Sequence, residues 1–289
     1  MRLVKILTAC LVILPAAISA LATSSSATTH LVNPEGTGDY PTIHAAIGAA
    51  APGDTVALTN GTFTGPGNKN IDYLGKAITV KSISGHPEVC IIDCEATYQD
   101  PHRGVHFHSA EGPQSLLEGV TIKNANLSGI GVCENGGAIR CEGTSAPTLR
   151  NCIFTANAAC LGAGVFCADS SAPTLQYCTF SDNSAHREDL VGGGAGGGLG
   201  CIDDSSPVVT ECIFSDNSAY SGGGVYLAND SHAELTGCTL LRNQGSYYGG
   251  GIGTANYSTL SVTSCTLVGN LAYGFGSGLA CWSNVYAPY

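Results

Sequence analysis

A cysteine recurs at one fixed point of a unit about 26 residues long, and that period restricts the chain to very few folds. Cys152, Cys178, Cys212, Cys238 and Cys265 each open a C-[IT]-[FL]-x-x-N box, at steps of 26, 34, 26 and 27 residues. The long step carries an insertion around His186, Arg187, Glu188 and Asp189. A second column runs in phase, Cys141, Cys167, Cys201, Leu227, Thr254 and Cys281, each closing a Gly-rich box. A fixed period of this size means stacked units, each of which buries its apolar face only against its neighbours.

Within a unit, Cys178 and Phe180 lie two apart and share one face of a strand. Leu149, Leu175, Val209, Leu235 and Val262 supply a second inward row, and Pro and Ser mark a corner. Asn157, Asn183, Asn217, Asn243 and Asn270 mark another corner, since Asn tolerates left-handed backbone and bonds its neighbours. Several short strands per unit, with corners and no helix between them, predict an all-β parallel β-helix, a single-stranded solenoid. At ~4.8 Å per coil, residues 55–282 make ~8–9 coils and a rod ~40 Å long. Short apolar runs at Thr55–Leu58, Ala77–Val80, Cys90–Asp93, Gly104–Phe107 and Leu116–Ile122 extend the stack ahead of the regular repeats. Before them, Ile43, Ala46, Ile47 and Ala50 fall on one helical face, Pro41 suits an early helical position, and Pro52-Gly53-Asp54 ends the helix. A short capping helix within residues 36–54 would cover the open first edge of the stack, which otherwise recruits other chains.

Residues 1–22 read as a secretory signal: Arg2 and Lys5, an apolar run from Ile6 to Ile18, and the small-x-small site Ala20-Leu21-Ala22. Residues 23–30 read as a linker and 31–289 as the β-helix domain, with regular repeats over 136–282. No later segment has the length to cross a bilayer. Export to an oxidising compartment permits disulfides. Cysteines stacked in register point the same way, however, which suits S–S geometry poorly, so the ladders are expected as buried free thiols. Cys90, Cys94, Cys133 and Cys141 are the better disulfide candidates, and the spacing does not fix their pairing. A net charge of −11 argues against nucleic acid and anionic membrane surfaces as partners.

The boxes Gly136-Gly137-Ala138-Ile139, Phe154-Thr155-Ala156-Asn157, Phe180-Ser181-Asp182-Asn183 and Phe214-Ser215-Asp216-Asn217 resemble the GGAI and FxxN repeats of chlamydial polymorphic outer-membrane proteins. The combined S-x-P-T-L, C-x-F and G-G-G pattern over residues 136–282 is also similar to the right-handed parallel β-helix proteins that many bacteria secrete. The opening stretch Gly36–Asp54 resembles the start of pectinesterase and pectate-lyase-like β-helices. These resemblances imply an exported right-handed β-helix, extracellular or at the cell outer membrane. The polymorphic proteins are adhesins with a C-terminal β-barrel. Here the sequence stops at Tyr289, just past Cys281-Trp282 and within the pattern, which leaves an oligomer or a missing C-terminal anchor open.

Enzymes on this fold use acidic residues on a groove, with Ca²⁺ or an Arg or Lys base, and paired carboxylates can act as acid and base. Asp203-Asp204 resembles the Asp-Asp of polygalacturonases, but the Asn-Thr-Asp, Gly-His-Gly and Arg-Ile-Lys boxes of that family are absent. The pectate-lyase Asp-His and pectinesterase Asp-Phe-Ile-Phe-Gly boxes are absent too. Asp169, Asp203, Asn229 and Asn256 align at a corner where Asx-turns form, with a Ca²⁺ or sugar contact as the functional alternative. Arg103 stands near several acids and is the candidate lyase base. His106 and His108 share a strand face and, with Asp100 or His102, could hold a metal. Exposed polar residues on an irregular coil are the plainer reading of the same cluster. The loop of His186, Arg187, Glu188 and Asp189 would stand off the rod, where recognition residues gather. Tyr220, Tyr226, Tyr247, Tyr248, Tyr257 and Tyr273 could line a sugar-stacking face, or simply pack. The expectation is a non-catalytic adhesion or glycan-binding rod without cofactor, meeting a polysaccharide or a host-cell-surface glycan. The alternative is a pectate-lyase-like enzyme acting on acidic polysaccharide, with Ca²⁺; a plain spacer is the third reading.

Overall fold

Each apolar column becomes a ladder running along the rod. The computed structural model describes residues 26–129, 132–186 and 193–282; the signal segment, Arg187, Glu188 and Asp189 lie outside them. Among the described residues, parallel strands build four sheets of nine, eight, eight and five strands. The first sheet runs from Thr29–Val32 to Thr259–Thr263, the second from Gly61–Phe63 to Thr266–Val268, the third from Ile71–Asp72 to Leu279–Trp282. The fourth begins only at Ala158–Ala159 and ends at Leu271–Ala272. A regular coil visits the first, second, fourth and third sheets in that order.

Register keeps like residues together. Phe63, Ile92, Ile122, Phe154, Phe180, Phe214, Leu240 and Leu267 are successive partners in the second sheet. Phe107, Cys141, Cys167, Cys201, Leu227, Thr254 and Cys281 are successive partners in the third. Because side chains alternate faces along a strand, each column stays inward through every coil. The ladder cysteines Cys141, Cys152, Cys167, Cys178, Cys201, Cys212, Cys238, Cys265 and Cys281 are free thiols. The disulfide joins Cys133 to Cys160 with Cα atoms 5.5 Å apart, and ties the two-stranded ribbon Ser128–Gly129 and Val132–Cys133 to the start of the fourth sheet. Of the four candidates Cys133 is bonded, and Cys90, Cys94 and Cys141 are free. Cys90 and Cys94 are free and four residues apart, so extended backbone separates them by ~13 Å. Cys141 is held inward on the third sheet beside Cys167.

Left-handed backbone turns the corners. Asn151, Tyr177, Glu211, Gly237 and Ser264 have positive φ just before the Cys column. Ala156, Asp182, Asp216, Arg242 and Gly269 do so just before the Asn column. The Asn residues are therefore not the left-handed positions expected of them; Asn157, Asn183, Asn217 and Asn243 are buried, Asn270 is half-buried, and they bond across coils. The Gly box requires glycine at Gly222, where φ is +61° and a side chain would collide with the Val225 carbonyl.

The cap is the helix α1, Ile43–Ala49, with Ile43, Ala46 and Ile47 fully buried. Thr42 caps its N-terminus, its hydroxyl accepting the Ala45 N–H at 3.2 Å, so Pro41 lies just ahead of the helix. Asp39 accepts the Leu31 N–H at 2.8 Å. The first strand takes in Thr29 and His30, assigned to the linker from sequence. Behind the helix, Asp54 is held near pKa 2 by the His30 hydrogen bond and by the N–H groups of Thr28 and Ala51. Lys76 reaches the other end of the helix and donates from Nζ to the carbonyls of Ile47, Gly48 and Ala50 at 2.7–2.9 Å. A cation there satisfies orphan carbonyls and meets the negative end of the helix dipole. Replacing Lys76 with Met is expected to cost about 1–2 kcal/mol. Urea denaturation checks this, and early hydrogen exchange should appear in residues 43–50.

Candidate functional site

The outer face of the third sheet carries a convergent polar group on its first coils. Asp72, His106, Arg140 and Phe166 are register partners on successive strands. His106 Nε2 lies 2.7 Å from Glu142 Oε1, and Glu142 Oε2 receives Arg140 through Nε at 2.8 Å and Nη2 at 2.6 Å. The Arg140 guanidinium rests 5.9 Å above the Phe166 ring, which locks the clamp in place. His108 Nε2 lies 3.1 Å from Asp72 Oδ2, and the two imidazoles are 4.3 Å apart. Burial lowers the His106 pKa, against the opposing pull of its Glu142 bond, so the ring is neutral at pH 7. Burial acts to raise Glu142, but its bonds to Arg140 and His106 outweigh that and hold it below the usual carboxylate value. With Nε2–H given to a carboxylate, Nδ1 keeps its lone pair. This arrangement can accept a proton.

Arg103 borders the group and serves as a clamp. Its guanidinium donates to the Gly136 carbonyl at 2.8 Å, the Asn135 carbonyl at 2.9 Å and Glu134 at 3.1 Å, fixing the 134–136 loop. Burial, with Arg140 beside it, lowers its pKa from the ordinary arginine value. Asp100 bonds His102 at 3.1 Å rather than joining His106 and His108. Among the described residues, no three His, Cys, Asp or Glu side chains converge as a metal would require.

The corner column is a ladder of turns. Asp169, Asp203, Asn229 and Asn256 are left-handed, as are the residues that follow them, Ser170, Asp204, Asp230 and Tyr257. Asn229 donates to Asp203 and Asn256 donates to Asn229, both at 3.0 Å. His186 is exposed at the root of the insertion.

Four of the six tyrosines meet on or beside the fourth sheet. Tyr220 and Tyr247 stack with centroids 5.6 Å apart, and Tyr247 meets Tyr248 edge-on at 4.4 Å. Phe275 joins them, stacked on Tyr248 at 5.8 Å, while Tyr273 takes a hydrogen bond from Gln244 Nε2 at 3.1 Å. Tyr247, Tyr273 and Phe275 are 39%, 70% and 61% exposed. Tyr226 belongs to the third sheet, and Tyr257 stands at the corner column.

Sequence reasoning missed Phe275, Asp72, Arg140 and Glu142. Phe275 lies outside any tyrosine column. Asp72, His106 and Arg140 follow one another at steps of 34 residues, not 26, so the regular repeat does not align them.

The family model described as right handed beta helix region matches residues 50–196 and 191–286. No curated protein matches the chain. Among solved structures, pectate lyase Pel9A superposes with a TM-score of 0.52 at 14% identity, over 91% of this chain and 78% of that one. Pectin methylesterase from carrot gives 0.41 at 14% identity, over 91% and 90%. At such identity the likeness to the lyase is one of fold.

Proposed function

The chain belongs to the right-handed β-helix family, and from that premise we propose that it is an exported, non-catalytic glycan-binding rod. Its ligand is a polysaccharide or cell-surface glycan laid along the fourth sheet. The aromatic strip of half-buried Tyr220 and Tyr248 and exposed Tyr247, Tyr273 and Phe275 carries this reading. Aromatic rings left in solvent as one contiguous patch mark contact surfaces, and rings with a polar tip suit ligands that are apolar on one face and hydroxylated at the edge. Coils repeat at ~4.8 Å, so a linear ligand along the rod meets aromatic groups on successive coils. The apolar and small-x-small pattern of residues 1–22 supports export.

The test is retention of the purified protein on a panel of neutral and acidic polysaccharides, with and without Ca²⁺, while absorbance at 235 nm reports unsaturated product. Tyr247→Ala with Phe275→Ala should weaken binding about tenfold or more without product appearing. Unchanged affinity in that double variant would remove the strip from the reading. One observation favours the polysaccharide-lyase alternative: His106 is a neutral, carboxylate-oriented imidazole. Product that forms with the native chain and vanishes in His106→Gln would replace the non-catalytic reading by that one.

A further inference from the structure

The fourth sheet starts at Ala158, and ahead of it the rod is notched. Coils cross this side as loops, leaving an open cleft of about 320 Å³ between the corner residues of three successive coils. That volume lies at the lower end of ligand pockets, which span roughly 300–1,000 Å³. Its polar lining is Glu95, Thr97, Asn124 and Asn126, over alanine walls.

Each polar residue spends one side on the protein. Glu95 Oε2 accepts the Gly65 N–H at 3.2 Å, and Thr97 Oγ1 accepts the Asp100 N–H at 3.1 Å. Asn124 Nδ2 donates to Asp93 at 2.9 Å, and Asn126 Oδ1 accepts the Ser128 N–H and hydroxyl at 2.9 and 2.7 Å. This leaves Glu95 Oε1 and Asn124 Oδ1 as acceptors, and Asn126 Nδ2 and the Thr97 hydroxyl as donors. A mixed set of this kind fits the hydroxyls of one sugar ring.

Charge narrows the choice. Glu95 is the titratable residue of the lining. Of the nearby lysines, Lys123 pairs with Asp93 at 3.2 Å, and Lys69 stands close enough to act on Cys94, the neighbour of Glu95. The chain as a whole carries −11. A uronate would bring its carboxylate against Glu95, whereas an ammonium would make a charge-assisted bond there.

We propose that this cleft binds an amino sugar bearing a protonated amine, with Glu95 as the ammonium acceptor and Thr97, Asn124 and Asn126 holding ring hydroxyls. The proposal rests on the glycan-binding reading, but it names a site separate from the aromatic strip. Saturation-transfer NMR on the full chain at pH 7 tests it, using free glucosamine, N-acetylglucosamine and galacturonate as separate probes. Glucosamine should bind about tenfold more tightly than N-acetylglucosamine, and galacturonate should not bind. Glu95→Gln should abolish the preference for the free amine, and Thr97→Val should weaken glucosamine while native circular dichroism is kept. Equal affinity for glucosamine and N-acetylglucosamine, no glucosamine binding, or indifference to both variants overturns the proposal. Loss of glucosamine binding in Tyr247→Ala, with Glu95→Gln unaffected, also overturns it and assigns the sugar to the strip. Glucosamine held by Glu95 in a protein that retains no polysaccharide keeps the cleft and sinks the strip.

Discussion

Asn217→Ala is expected to lower stability by about 4 kcal/mol, which is large for one side chain. Asn217 is fully buried between the second and fourth sheets. Its Oδ1 accepts the Asn183 N–H at 3.1 Å and Asn183 Nδ2 at 2.9 Å. Its Nδ2 donates to the Phe180 carbonyl at 3.0 Å and to Asn243 Oδ1 at 2.9 Å. Truncation strands groups on both neighbouring coils, each costing about 1–3 kcal/mol when left unpaired without water. Relaxation returns part of that, hence the figure. Asn270→Ala is the internal comparison: it caps the same ladder but is only half-buried, so water can replace its bonds and the loss should be nearer 1 kcal/mol. Because a solenoid couples each unit only to its neighbours, denaturation should be read together with hydrogen exchange. Protection should collapse first in residues 179–185 and 239–245. A loss below about 1 kcal/mol for Asn217→Ala would mean that the ladder is not a continuous buried chain of bonds.

This ladder shows where the sequence could be read and where it could not. The period exposed the Asn column and placed it at a corner, since Asn157, Asn183 and Asn217 recur with their strands. It could not show that the left-handed turn falls one residue earlier, at Ala156, Asp182 and Asp216. That column mixes Asp with Ala156 and Arg242, which carry no mark of that conformation, whereas the neighbouring Asn column is uniformly of a type that tolerates it. The Asp169, Asp203 and Asn229 column was legible as turns because paired left-handed residues there are of the types that tolerate them. The outer-face group was not legible. His106 and His108 signalled one strand face, but their partners Glu142 and Asp72 come from neighbouring coils of irregular length. A partner one coil away can be found only when the coil length is known, and the regular unit supplies that length only from residue 136 onward. The disulfide escaped although Cys133 and Cys160 stand 27 residues apart, one coil step, because Cys133 sits in a ribbon outside the aligned repeat boxes.

Phe180→Ala should cost about 3–5 kcal/mol, while Phe180→Leu should cost under about 1.5 kcal/mol, and the contrast tests how the core is built. Phe180 is fully buried, stacked on Phe214 at 4.4 Å with planes 9° apart, and 5.1 Å from Phe154. Alanine leaves a ring-sized void that the coils cannot close, because their spacing is set by backbone hydrogen bonds on four sides. Leucine and isoleucine already occupy this column at Leu240 and Ile122, each two coils away in the same register. The backbone there is compatible with an aliphatic side chain, so the leucine variant loses stacking and some volume but no register. Thermal or urea unfolding of both variants checks the ordering. Equal losses would mean that aromatic stacking, rather than filled volume, holds the second sheet together. The glycine wall makes that outcome the less expected one: at Gly164 and Gly198 a side chain would press on the rings of Phe180 and Phe214. Close packing across the rod therefore sets the size that the column must fill, and any apolar side chain near that size should preserve most of the stability.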